Sequence, residues 1–67
     1  MNTPLLKSKI VFNRDTQENL AEALGMNLGS INARINGKVE FRLTEIMAIK
    51  KRYNLTDEEV CQIFFTE

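Results

Sequence analysis

One cysteine and no histidine in 67 residues deprive this chain of the two devices that most often hold so short a chain together, a disulfide or a Cys/His metal cluster. Regular helices packed on one apolar core remain. The apolar share of 43% suffices for one such core, and the chain reads as a single domain over residues 1–67. No apolar run approaches the ~18 residues of a membrane span, and the N-terminus lacks the apolar stretch and cleavage site of a secretory signal. The expected setting is therefore cytoplasmic, with no membrane partner. The same inventory supplies no Cys–His dyad and no Ser–His–Asp triad. The acidic sets Asp15/Glu18/Glu22 and Asp57/Glu58/Glu59 fall where helices begin, where carboxylates favour the helix dipole. The chain does not read as an enzyme, and nothing in it calls for a cofactor, a metal or a small-molecule ligand.

Apolar spacing and capping residues divide the chain into five helices. Pro4 starts the first, with Leu6, Ile10 and Val11 as its stripe, and Asn13-Arg14-Asp15 ends it. Asp15 or Thr16 caps the second, whose Leu20, Ala21 and Leu24 form one face before Gly25. Asn27 caps a third carrying Ile31 and Ile35, closed by Asn36-Gly37. The run Lys38–Leu43 alternates polar with apolar, but one such run cannot make a sheet, so it reads as an extended loop pinned by Val39, Phe41 and Leu43. Thr44 is the expected cap of a fourth helix with Ile46, Met47, Ile49 and Tyr53 inward. Thr56-Asp57-Glu58-Glu59 is a capping box opening a fifth, with Val60, Ile63 and Phe64 on its inner face. The fold class is all-α, a compact five-helix domain.

The stretch Gln17–Asn36, QENLAEALGMNLGSINARIN, is the most informative. A small alanine followed four residues later by glycine lets two helices meet closely, with Ile31 reaching back to the Leu20/Ala21/Leu24 face. Here the sequence resembles the helix-turn-helix of the Cro and lambda-repressor family of DNA-binding regulators, common in phages. Thr16-Gln17, Leu20-Ala21, Leu24-Gly25, Ile31 and Asn36-Gly37-Lys38 stand where that family has them, in register and without gaps. The resemblance implies a repressor-like transcription regulator, of phage or prophage, that occupies a near-palindromic stretch of double-stranded DNA as a homodimer. Two departures qualify it. Arg34 stands where many members carry an apolar residue, which is displaced to Ile35, and Leu28-Gly29 replaces the long polar side chains that often begin the reading helix.

The third helix carries its own argument. At ~100° per residue, Ile31 and Ile35 point together while Gly29, Asn32, Ala33 and Asn36 lie on another side with Leu28 at its margin. No carboxylate occurs from Asn27 to Asn36, as phosphates demand. Asn32 can pair with an adenine edge, Ala33 and Leu28 can touch thymine methyls, and Asn27 and Gly29 complete the candidate base contacts. Asn27 and Asn36 also sit at helix ends, where asparagine caps. Formal charge sums to zero, yet residues 27 to 43 hold Arg34, Lys38 and Arg42 against Glu40 alone. With Gln17 and Asn36, these three cations are the candidate phosphate contacts. Cys61 and Phe65 lie off the inner face of the fifth helix and are candidate dimer contacts, Cys61 also fitting a small buried apolar group. The competing reading keeps the fold without DNA, as a protein-binding helical adaptor of antitoxin or anti-repressor type; zero net charge and the sparse third helix favour it.

Overall fold

The computed structural model describes residues 1–66, and among them the chain forms five α-helices and no strand. Helix α1 spans Thr3–Phe12, α2 Gln17–Ala23, α3 Leu28–Ile35, α4 Leu43–Arg52 and α5 Asp57–Phe64. Four of the helix starts are set by a local oxygen. Asn2 Oδ1 accepts from the Leu5 N–H (3.1 Å), Thr16 Oγ1 from Asn19 (3.0 Å), Asn27 Oδ1 from Ser30 (2.8 Å) and Thr56 Oγ1 from Glu59 (3.1 Å). Glu59 Oε1 returns the bond to the Thr56 N–H at 2.9 Å, completing the expected capping box. Thr16 thus takes the α2 cap, leaving Asp15 free for another role.

Helix α4 begins earlier than the sequence predicts. Glu45 Oε1 accepts the Arg42 N–H at 2.8 Å, so Arg42 is the capping residue and Thr44 lies inside the first turn. Leu43 then projects past the end of the core and is 67% exposed, while Met47, a hundred degrees from Ile46 around the helix, is 49% exposed. Neither is the inward residue expected of it. Val39 is likewise exposed, and of the three expected loop pins only Phe41 packs on the core, its ring edge-on to Phe64 at 5.4 Å between centroids.

Helix ends follow one pattern. After α2 the Gly25 N–H donates to Glu22 O (3.1 Å) and the Met26 N–H to Ala21 O (2.9 Å); after α3 the Gly37 N–H donates to Arg34 O (3.1 Å) and the Lys38 N–H to Ala33 O (2.9 Å). These are Schellman pairs, and the residue between them takes φ +70° at Gly25 and +79° at Gly37, where a Cβ is strained. Arg14 and Asn54 do the same work after α1 and α4 at φ 54° and 52°.

The core is Leu6, Ile10, Leu20, Ala21, Ile31, Ile35, Ile46, Ile49, Tyr53, Leu55, Val60 and Ile63, contributed by every helix. Helix α3 lies most extensively along α2 and also meets α1, while α1 and α4 pack on α5. The Asn2 N–H donates to Ile63 O and Thr3 Oγ1 to Ile35 O, both at 2.6 Å, so the start of α1 holds the ends of α3 and α5. Cys61, a hundred degrees from Val60, is exposed, which corrects the expectation of a buried thiol.

Candidate nucleic-acid interface

The α2–α3 unit presents the residues singled out in the sequence. Helix α2 ends at Ala23, Leu24 to Asn27 make the turn, and Ile31 and Ile35 are fully buried, which decides which side of α3 faces inward. Asn27, Leu28, Gly29 and Asn36 are consequently exposed, and Asn32 and Ala33 are half-exposed on the same helix. Asn27 divides its amide: Oδ1 caps α3, and no bond engages Nδ2 among the described residues. The Asn32 side chain makes no hydrogen bond within the described chain, so both its donor and its acceptor are available to an outside partner. Helix α5 packs on α1 and α4, and only past the C-terminal end of α3 do Asn36 and Gly37 line a groove together with Phe64 and Phe65.

Lys38 and Arg42 lie in the loop between α3 and α4, the Lys38 N–H donating to Ala33 O at 2.9 Å and the Arg42 N–H to Glu45 Oε1 at 2.8 Å. Both are exposed and neither pairs with a carboxylate among the described residues. Glu40 stands between them in sequence, also exposed and unpaired. Gln17 opens α2, half-exposed, at the positive end of that helix's dipole.

Arg34 departs from the expected role of a free cation. Its Nε donates to Glu45 Oε1 at 3.1 Å and its Nη1 to Ser30 O at 3.3 Å, and the two side chains of the ion pair are only 16% and 14% exposed. The guanidinium therefore closes a contact between α3 and the start of α4. No sequence signal joins positions 34 and 45; the one hint was an arginine at a place where an apolar residue is usual.

The remaining ion pairs lie away from this surface. Lys9 bonds Glu59, Lys50 Nζ meets Asp57 Oδ1 at 2.7 Å, and Arg52 forks onto Asp15 at 2.8 and 3.1 Å. Tyr53 OH adds a third bond to Asp15 at 2.6 Å. The Arg52 guanidinium, helped by Tyr53 and opposed by burial, holds the Asp15 carboxyl far below the usual range. Burial first, and the Asp15 acceptor second, push the Tyr53 phenol up. The Asp57 carboxyl is lowered by Lys50, and that of Glu59 to about 2 by Lys9 and by the Thr56 N–H. Every shifted group thus has a structural partner, and the described residues hold no cluster of His, Cys, Asp and Glu suited to a metal. No helix among them is long and apolar enough to cross a membrane.

The arrangement defines an all-helical domain whose third helix offers an exposed polar side. The chain belongs to the family described as a protein of unknown function, DUF739, whose model matches residues 3–67. No curated protein and no solved structure matches it.

Proposed function

We propose that this protein is a sequence-reading DNA-binding regulator of the helix-turn-helix type, with α3 entering the major groove. One observation carries the reading. The outer side of α3 is free of carboxylates and mostly polar and small, and the loop that follows it carries two exposed cations, Lys38 and Arg42, that pair with no acid among the described residues. Asn32 and Asn27 supply hydrogen bonds to base edges, and Leu28, Gly29 and Ala33 allow close approach to the groove floor. Lys38, Arg42, Asn36 and Gln17 supply the sugar–phosphate contacts that position it. One such module reads a short half-site, so the functional unit is a two-fold homodimer, with Phe65 and Cys61 on the outer side of α5 as its contact. Occupying an operator and excluding polymerase is the mode of action this supports.

Selection of bound sequences from random duplexes, followed by a salt titration, tests the reading. Asn32→Ala should weaken the selected duplex by ~1–3 kcal/mol and scrambled DNA hardly at all, whereas Lys38→Ala should weaken both alike and lower the salt slope by about 1 per bound protomer. Equal losses on all DNA in the Asn32 variant would remove base readout. A second reading, a protein-binding adaptor, has its own observation in Val11 and Phe12, adjacent on α1 and 74% and 83% exposed. Absence of duplex binding at low salt would favour it.

A further inference from the structure

We infer that Arg34 and Glu45 are positioning residues that set the roll of the reading helix against the phosphate-facing loop, and that this pair, touching no DNA itself, governs base discrimination. The inference rests on the DNA-reading function proposed above. Three bonds converge here. Glu45 Oε1 accepts both the Arg42 N–H (2.8 Å) and the Arg34 Nε–H (3.1 Å), and Arg34 Nη1 returns to Ser30 O within α3 (3.3 Å). One carboxylate oxygen therefore joins the backbone at Arg42, a candidate phosphate contact, to the helix that carries Asn32.

The surrounding packing leaves this pair the task. Helix α3 lies along α2 and α1 but is not closely aligned with α4, and Arg34–Glu45 is the single ion pair between α3 and α4 among the described residues. Buried Ile31 and Ile35 fix which side of α3 faces inward, yet apolar contacts are non-directional and tolerate small rotations. The charge-assisted Arg34 Nε–H bond to Glu45 is directional, and the Nη1 bond to Ser30 O holds the guanidinium against its own helix. At about 2.3 Å helix radius, with side chains reaching several ångströms further, a rotation of ten to twenty degrees moves the tip of Asn32 by an ångström or more. That displacement breaks a paired contact with a base edge. Lys38 and Arg42, on an exposed loop with long side chains, would follow a phosphate through it.

Two further features belong to the same design. Most of both side chains is withdrawn from solvent, so the pair is screened by salt less than a surface bridge is. Pairing also compensates the carboxylate that accepts the Arg42 N–H. Arg34 thereby serves the interface by occupying Glu45 rather than by reaching DNA.

The test measures affinity of the whole chain for the duplex recovered by selection and for its scrambled counterpart, with thermal unfolding of each variant alongside. Arg34→Met and Glu45→Gln should each cut the selected-to-scrambled ratio about five- to tenfold, and the double variant should be no worse than either alone. Scrambled binding and its salt slope should stay as in the unmutated protein. Arg34→Lys keeps the charge but loses the fork, and should lose part of the ratio as well; it also serves should the methionine variant unfold. Arg34→Met weakening both duplexes alike, with a salt slope lower by about 1 per bound protomer, would make Arg34 a phosphate contact and overturn the inference. So would uniformly tighter binding by Glu45→Gln, which would reveal mere charge repulsion, or a lower melting temperature with the ratio intact. If the unmutated chain recovers no preferred sequence, the regulator reading itself falls, and this inference with it; that result is separable because it needs no variant.

Discussion

Asp15 shows how one side chain can be read correctly as structural and still be misassigned. It was a candidate cap for α2, but Thr16 caps that helix and Asp15 instead receives Arg52 and Tyr53, with 8% of its side chain exposed. Asp15→Asn removes the charge and turns one of the two acceptor oxygens into a donor facing Arg52 and Tyr53, so it should destabilise the fold by about 1–3 kcal/mol at pH 7 by urea unfolding. The pH dependence has a definite sign. The folded carboxyl ionises well below its unfolded value near 3.9, so the contribution is complete above about pH 5 and is lost as pH falls through 3.9 toward the depressed folded value. The gap between the native protein and the variant should therefore narrow as the pH is lowered from 5 to 2. Gly25 makes a cleaner case at the same scale. A Cβ there would meet nothing within 4 Å, but φ is +70°, so Gly25→Ala should cost about 1 kcal/mol from backbone strain alone, without repacking of Met26.

Among the elements, the five helices were legible from sequence because their boundaries are local. A capping oxygen acts on an N–H three residues ahead, and a glycine closes its own helix. Thr16, Asn27, Thr56, Gly25 and Gly37 were therefore all readable. What failed was the roll and the tertiary pairing. Met47 reads as inward because it is apolar next to Ile46, and Leu43 reads as a loop pin from the alternation of Lys38–Leu43, yet both are exposed. The true start of α4 is decided by Glu45, whose carboxylate is shared with an arginine eleven residues away. Leu55 entered the core unannounced, since its burial depends on the turn at Asn54. The outward side of α3 was legible through Ile31 and Ile35; the pairing of Arg34 with Glu45 was not. The loop carrying Lys38 and Arg42 is held to the core through Phe41, stacked edge-on against Phe64. Phe41→Ala should thus destabilise the protein by about 2–4 kcal/mol and, at temperatures where it remains folded, lower affinity for all duplexes alike by loosening both cations. Comparison of unfolding curves with binding isotherms on selected and scrambled DNA checks both halves.

For the whole molecule, zero net charge conceals how the charges are spent. Four cations, Lys9, Arg34, Lys50 and Arg52, neutralise Glu59, Glu45, Asp57 and Asp15, which removes eight opposite charges from the outer field in pairs. Lys38 and Arg42 stay unpaired in the loop after α3, and on the proposed DNA-binding reading each protomer would displace counterions from about two phosphates. A dimer doubles this, so the slope of log affinity against log salt should be about −3 to −4 on a two-half-site duplex. The dimer contact proposed on α5 makes the slope a measure of assembly. Phe65 is 63% exposed beside the exposed Cys61, and replacing it by serine removes apolar area from that contact without touching the core. Phe65→Ser should therefore leave the melting temperature of the isolated protomer nearly unchanged, sediment as a monomer at concentrations where the native chain pairs, and bind with a slope of about −2 whether the duplex carries one half-site or two. A native slope already near −2 on both duplexes would show that single protomers bind independently, since two protomers that assemble only on DNA still release the counterions of four phosphates together.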